Sequence, residues 1–294
     1  MDELVDVRKL IREERQKHLF KKTGVYVFVI FGAISMLAPF LWMITTSLKH
    51  LGDVFSYQKP WWHDWIPTSF VWQNYTTVLQ MKTVPFLRFY LNSIFVAVFT
   101  TFGQVATSAL AAYAFARLRF PGRDKIFFAY LATMMIPGAV TMIPVFILLQ
   151  QLGWIDTYKA VILPPIFTAY GTFMLRQFFL TLPKDLEDAA KIDGCSYFGI
   201  FWRILLPLSK PALATLTTFT FMGNWMSFMW PLIVLNSHEK FTLPVGLAYF
   251  QSIHNTDWTL LMAGSLMMIL PILLLFIFNQ RYFVEGIKLS GIKG

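Results

Sequence analysis

The sequence predicts an all-α, polytopic membrane protein with six transmembrane helices, and three observations lead there. Hydrophobic residues make up 56% of the 294, only 14% are charged, and the mean hydropathy is +0.55, which leaves too little polar surface to cover a soluble globule of this size. Charge-free apolar stretches recur at lengths near the ~20 residues a helix needs to cross hydrocarbon. Lys and Arg gather beside alternate ends of those stretches, as the positive-inside rule requires. A single cysteine, Cys195, excludes an internal disulfide framework, and His and Cys show no clustering of metal-ligand type.

Taken in order, residues 1–22 form a charged N-terminal tail, followed by a first apolar stretch from Thr23 to Leu48. That stretch is too long for an ordinary signal h-region and lacks a small-residue cleavage site, so it is expected to remain in the mature protein. The second runs from Phe89 to Ala116 and the third from Ile126 to Ile155. The fourth, Ala160 to Leu175, is short by itself; Phe178, Phe179 and Leu180 extend it while Arg176 snorkels toward an interface. Pro211 to His238 and Trp258 to Gln280 complete the set. The expected spans are 23–48, 89–116, 126–152, 158–181, 211–236 and 258–281 within a transmembrane domain 23–284, with an inner loop 182–210 and a C-terminal tail 285–294.

Placing the N-terminus inside puts only Lys49, Lys59, Lys82, Arg88, Lys159 and Lys240 of the 25 Lys and Arg residues outside. Both termini are therefore expected in the cytoplasm. The net charge of +9 is spread over span ends rather than gathered on one basic domain, which argues for encoded topology and against nucleic-acid binding. Of the outer segments, Lys49 to Arg88 is a large loop, Asp156 to Lys159 a tight turn and Glu239 to Asp257 a medium loop. Trp61, Trp62, Trp65, Trp72, Tyr57 and Tyr75 in the first loop suit headgroup anchoring; stacking on sugar or touching an external partner is the alternative. Asn74-Tyr-Thr76 matches a short glycosylation pattern that often occurs by chance.

No enzyme signature is present. The chain has no G-x-x-x-x-G-K-[ST] loop with which to hydrolyse ATP itself, no H-E-x-x-H and no G-x-S-x-G. Ser237-His-Glu-Lys240 and Lys22-Thr-Gly24 fit fragments of a serine acyl-enzyme signature, but in the wrong order and on opposite sides of the expected membrane. A membrane-embedded enzyme therefore lacks a catalytic cluster. A self-contained secondary transporter or channel is the stronger alternative, yet none of the five long charge-free cores carries an ionisable residue of the kind that marks an ion path.

The inner loop carries most of the functional information. Pro183 suits a helix start, Asp185, Glu187 and Asp188 complement the positive end of a helix dipole, and Gly194 supplies a stop at positive φ. Ala189 and Ala190 leave part of this short helix bare, so another surface can approach its backbone closely. Tyr197, Ile200, Phe201, Ile204 and Leu205 then recur at i, i+3, i+4, i+7, i+8 and are expected to lie on the helix bundle. Leu206-Pro207-Leu208 and Pro211 end that piece.

The run Asp188-Ala-Ala-Lys-Ile-Asp-Gly194, followed after eleven residues by Leu206-Pro207, resembles the EAA loop of permease subunits in ATP-binding cassette (ABC) importers, and more narrowly the second permease of the carbohydrate-importer branch that includes the maltose system. The likeness covers nearly the whole chain: Ala111 to Arg123, Ala132 to Pro137, Leu175 to Leu180, Thr242 to Leu247, Gln280 to Gly286 and Gly291 to Gly294 are all similar to that family. Two positions depart from its pattern. Asp188 stands where a glutamate is usual, with Glu187 beside it, and Cys195 stands where alanine is usual.

This resemblance implies a type I ABC importer permease fold in a bacterial or archaeal cytoplasmic membrane. It further implies a homologous second permease, two ATP-binding cassette subunits that carry ATP and Mg, an extracytoplasmic solute-binding protein and an oligosaccharide substrate. The chain itself is then no enzyme and binds no cofactor. On the family pattern, Glu187, Asp188, Ala189, Ala190, Asp193, Gly194, Leu206 and Pro207 form the element that couples to the ATPase, with either Glu187 or Asp188 making the main contact. The region from Glu239 to Asp257 is expected to enter the binding protein. Asn224, Trp225, Ser227, Phe228 and Trp230 on the fifth span are candidates for the substrate path, as are the backbone groups that Pro137, Gly138 and Pro144 free on the third. Helix packing is the competing explanation of the same residues.

Overall fold

The computed structural model describes residues 2–55, 60–81, 84–248, 250 and 256–291, with side-chain surroundings described from 18 to 280 within those stretches, Asp64 apart. Tyr57, Lys59, Lys82, residues 251–255 of the expected outer loop and the terminal 292–294 lie outside the described residues. All regular structure among the described residues is helical. The helices are α1 (Asp2–Ser47), α2 (Gln73–Gln80), α3 (Phe86–Arg117), α4 (Arg123–Ala132), α5 (Gly138–Gln151), α6 (Tyr158–Ile162), α7 (Ala169–Thr181), α8 (Asp185–Ile192), α9 (Tyr197–Ile200), α10 (Leu206–Leu208), α11 (Lys210–Trp225), α12 (Met229–Val234), α13 (Leu243–Ala248) and α14 (Trp258–Gly291).

Two compact units can be distinguished, one containing residues up to Thr77 with Thr256–Leu266, the other Val78–Asn255 with Met267–Gly294. In the first, α1 runs as one helix through the expected tail and span. Its terminus is stapled locally: the Asn74 amide donates to the carbonyls of Ser47 and Lys49 at 2.9 Å each, and Ser47 Oγ lies 2.8 Å from Tyr75 Oη. Asn74 is thus committed to chain structure. No residue in the most apolar window of α1 is buried. Asp257 caps the start of α14 by accepting from the backbone N–H of Thr259 and Leu260.

In the second unit α3 is the central post, packing against α7 and α11. Ala109, Ala112 and Ala116 give it a flat inner face, which lets Leu175, Phe179 and Leu216 approach its backbone closely. Trp225 is 1% exposed; its indole N–H donates to Met268 O at 2.9 Å, and its ring stacks on Phe221 and meets Tyr90 edge-on. Toward the outer end of α3, Phe89 and Ser93 receive the Thr242-to-Leu247 motif. Ser93 Oγ accepts from Leu243 N at 2.6 Å, and Gly246 lies so close under the Phe89 ring that a Cβ there would overlap it.

Several of the expected spans are interrupted in the structure. His18–Ser47, Phe86–Arg117 and Trp258–Gln280 are each long and apolar enough to cross a membrane alone; two bent helix pairs raise the number to at most five. The expected span 126–152 is one of those pairs, Arg123–Met135 and Gly138–Gln151 at 98°. Pro137 is the cause, because it drives the preceding Ile136 out of the helical region to φ −84°, ψ 116°. The expected span 158–181 is broken by Pro164 and Pro165, which end α6 in a 3-10 turn before α7 restarts behind Thr168. The expected 211–236 stops at Trp225 and resumes as α12. The other bent pair joins Tyr197–Leu208 to Lys210–Trp225 at 79°. At the C-terminus α14 continues through much of the expected tail, to Gly291.

Candidate functional site

The inner segment is a short helix with one face held from behind. Its start falls at Asp185, two residues beyond Pro183, with Asp185, Glu187 and Asp188 in the first turn, where they complement the helix dipole. Its end is a Schellman turn: Gly194 N donates to Lys191 O at 3.0 Å and Cys195 N to Ala190 O at 2.9 Å, with Gly194 at φ +79°. Ala190 packs into the core formed by Ala112, Ala116, Phe179, Ile200, Phe201 and Leu205. Ala189 is exposed, so the two alanines do not share a surface.

Glu187 and Asp188 also part company. Glu187 points inward, where its Oε1 lies 2.8 Å from Arg117 Nε, the two side chains 8% and 2% exposed. Asp188 stands in solvent, paired with Lys191 at 3.0 Å, and that contact holds the lysine above its ordinary pKa. Ile192 is 86% exposed, and Asp193 and Gly194 are exposed beside it. Further along, Ile200, Phe201 and Leu205 lie in the core as their spacing predicts, Leu206 is half-buried and Pro207 is exposed. Tyr197 departs from the expectation: its ring is exposed, because residues 197 and 198 begin a new helix whose buried face starts at Ile200. Only the Tyr197 carbonyl is engaged, accepting from Tyr113 Oη at 3.0 Å.

The second feature is a cavity of about 680 Å³ between α3, the α4–α5 break, the Pro164-Pro165 turn and the α11–α12 break. Its wall includes Thr100, Thr141, Asn224, Ser227 and Trp230, and no charged side chain. A hydrogen-bonded chain fixes it. Asn224 Nδ2 donates to Thr101 Oγ1 and Gln104 Oε1 at 3.1 and 3.0 Å, Gln104 Nε2 donates to Pro165 O at 2.9 Å, and Trp230 Nε1 donates to Ala160 O at 3.0 Å. Of the five candidate path residues on the fifth expected span, Asn224, Ser227 and Trp230 line this space. Trp225 is enclosed in protein and Phe228 lies outside the wall. On the third expected span Gly138 lines the cavity while Pro137 makes the break above it.

A third cluster gathers around Asp156. Asp156, at φ +60°, accepts from the backbone N–H of Asn236 and Ser237 at 2.9 Å each, from the Ser237 hydroxyl, and from Lys240 Nζ at 2.9 Å. Burial alone would raise its pKa, but those donors outweigh burial and hold the carboxyl far below the usual carboxylate range. Asn92 donates to the carbonyls of Glu239 and Phe241, and Arg88 pairs with Glu239 at 3.1 Å.

Residues 104–286, which enclose both α8 and most of the cavity wall, match the family described as binding-protein-dependent transport system inner membrane component. The chain belongs to that family. This permease is 43% identical over 203 residues to the arabinooligosaccharides transport system permease protein of Halalkalibacterium halodurans, covering 69% of this chain and 73% of the relative. It is 32% identical over 268 residues to the sn-glycerol-3-phosphate transport system permease protein of Yersinia pestis, covering 89% and 94%. Among solved structures, a bacterial ABC transporter involved in import of the acidic polysaccharide alginate superimposes with a TM-score of 0.80 at 25% identity, over 92% of this chain and 98% of the other.

Sequence reasoning about the permease missed two groups. Arg117 reads as one more inner cation, since nothing in Ala111 to Arg123 says that its guanidinium turns back into the protein. Asp156 reads as a turn residue; its signal was an aspartate beside the positive-φ Gly153 turn, a place where side-chain-to-backbone bonding is common.

Proposed function

We propose that this permease supplies one half of the membrane path of an ABC importer for neutral oligosaccharides. It works beside a homologous second permease, two ATPase subunits that carry ATP and Mg, and an extracytoplasmic binding protein on the outer face. In this reading the chain crosses the cytoplasmic membrane six times with both termini inside, the bent and broken helices each completing one crossing of the domain 23–284. The exposed apolar flank of α1 faces lipid or the second permease.

The observation that carries the coupling role is the disposition of α8. A helix whose inner face is fixed by Ala190 and the Glu187–Arg117 pair presents Asp188, Ala189 and Ile192 together on the outside. Ile192 is the more exposed of the two large apolar side chains that α8 shows, Leu186 being the other, and suits a depression in an ATPase surface; Asp188 suits a basic group at its rim. Closure of the nucleotide-bound ATPases then moves α8, and with it the helices around the cavity.

The charge-free cavity argues for the substrate class. Hydroxyl, amide and indole groups can exchange hydrogen bonds with sugar hydroxyls, and the Trp230 ring can cover a pyranose or furanose face. A carboxylate or phosphate would lose water in this half of the path without a cation to replace it. An arabino-oligosaccharide fits those requirements, whereas sn-glycerol 3-phosphate and alginate do not.

The test is ATP-driven uptake by the assembled importer in vesicles. Wild type is expected to co-purify with its ATPase and to accumulate neutral oligosaccharide. Ile192→Asp is expected to lower ATPase recovery and uptake at least tenfold. Full uptake by that variant would remove α8 from the ATPase interface, and preferential uptake of a uronate oligomer would overturn the substrate class.

A further inference from the structure

The Glu187–Arg117 pair does more than fill space. Arg117 Nη2 also donates to Phe179 O at 2.6 Å and Leu182 O at 2.7 Å. Those carbonyls belong to the last turn and the C-cap of α7; Phe179 O also accepts from Leu182 N–H at 3.2 Å, whereas Leu182 O lies past the end of the helix ladder. One guanidinium at the inner end of α3 therefore grips the docking helix α8 through a carboxylate and α7 through its terminal carbonyls. Nη2 makes the directional bonds, both to the α7 carbonyls, while Nε stands 2.8 Å from the Glu187 carboxylate as a close ion pair; a lysine has no planar group to reach both sides at once.

We infer that Arg117 is a positioning residue of the coupling machinery, the group that makes α8, α7 and α3 move as one body when the ATPase pulls on α8. The inference rests on the importer reading above. Its physical basis is that a buried ion pair is a poor means of gaining stability, because apolar residues of the same volume often hold a protein at least as well. What such a pair adds is an orientation.

Both α3 and α7 lead to the cavity. From Arg117 the uninterrupted α3 runs back 17 residues to Thr100 in the wall, about 25 Å at ~1.5 Å per residue. The N-terminal side of α7 continues into the turn that supplies Pro164 and Pro165 to the same wall. That turn is tied to α3 again, by Gln104 on Pro165 O and by Thr107 Oγ1 on Ile166 O at 2.8 Å. A displacement of α8 is thus delivered to two sides of the cavity together.

The experiment uses the whole importer in nanodiscs and compares wild type with the double variant Arg117→Met/Glu187→Met, which removes both charges and leaves neither orphaned. Two quantities are read: the ratio of ATPase activity with and without substrate-loaded binding protein, and the distance distribution between spin labels at Asp185→Cys and Phe102→Cys in a Cys195→Ser background. The expected result is a ratio reduced at least fivefold together with a broadened distance. An unchanged ratio overturns the coupling role whether or not the distance broadens, and an unchanged distance overturns the positional tie whether or not the ratio falls. If the double variant does not assemble, Arg117→Lys, which keeps the charge but not the fork, carries the same two readouts. A wild-type ATPase that ignores the binding protein would instead sink the importer reading, and the spin labels would still judge the tie.

Discussion

Two ends of α3 hold irregular backbone in place by opposite means. At the inner end a single buried guanidinium ties α8 and the end of α7, within a core whose small alanines allow close approach. At the outer end, segment 236–247 is held by several exposed or part-exposed contacts, Asp156 on Asn236, Ser237 and Lys240 and Arg88 and Asn92 on Glu239, and by one buried bond, Ser93 on Leu243. The inner arrangement is all-or-none, because removing one partner strands a charge in protein. The outer arrangement is distributed, and each of its exposed or part-exposed bonds can be lost and replaced by water. The contrast suits an inner element that transmits force and an outer one that meets a partner and releases it.

The sharpest way to break the comparison is to remove one inner partner. Arg117→Met alone leaves Glu187 buried without its cation and is expected to cost about 3–5 kcal/mol, measured as a lower Tm in detergent. Glu187→Gln leaves the Arg117 guanidinium without its counter-charge but with the Phe179 and Leu182 carbonyls and a neutral amide beside it, and should cost less. If both variants unfold at the wild-type temperature, the inner end is no more committed than the outer.

Next in size is the outer packing contact. Gly246→Ala places a methyl group into the Phe89 ring and should destabilise by about 1–3 kcal/mol through overpacking. Phe89→Leu in the same chain is expected to recover part of the loss, and Tm measurements on the two variants and their combination provide the check.

The Asp156 cluster should show the smaller, water-replaceable effect. Asp156→Asn keeps an acceptor oxygen for part of the cluster but loses the Lys240 charge, an expected cost of about 1 kcal/mol. The sign of its pH dependence follows from a carboxyl held below its ordinary value. The stabilisation is fully present above the unfolded pKa of ~3.9 and disappears as pH falls through the depressed folded value. Wild type and variant should therefore differ in Tm at pH 7 and converge only in strong acid. A difference that vanished already near pH 6 would contradict the assignment.

Much of this was readable in the sequence, and the failures have physical causes. Charge-free gaps located the long helices, and Gly194 declared its positive φ. The breaks in the third and fourth expected spans were written as Pro137 and Pro164-Pro165, but a gap counted only for charge reads through a proline that ends a helix. Glu187 and Asp188 were inseparable by neighbourhood because consecutive helical residues point about 100° apart, and the sequence does not say which direction faces the core. The alanines at 189 and 190 divided for the same reason. Trp225 and Trp230 look alike in an apolar helix, yet one anchors α14 through Met268 and the other lines the cavity. Arg117 was invisible as a tie because its partners lie 62 to 70 positions away, at Phe179, Leu182 and Glu187.

The exposed side of α8 gives the smallest effect on stability and the largest on function. Asp188→Asn removes a solvent-exposed pair with Lys191, so Tm should not change measurably, while ATPase recovery should fall. The most direct test of the central claim that α8 couples this permease to an ATPase is ATP-driven uptake by importers carrying Ile192→Asp, with the Tm measured in parallel. Uptake lost at least tenfold with Tm unchanged is the predicted result; uptake retained in a folded, assembled variant would contradict it.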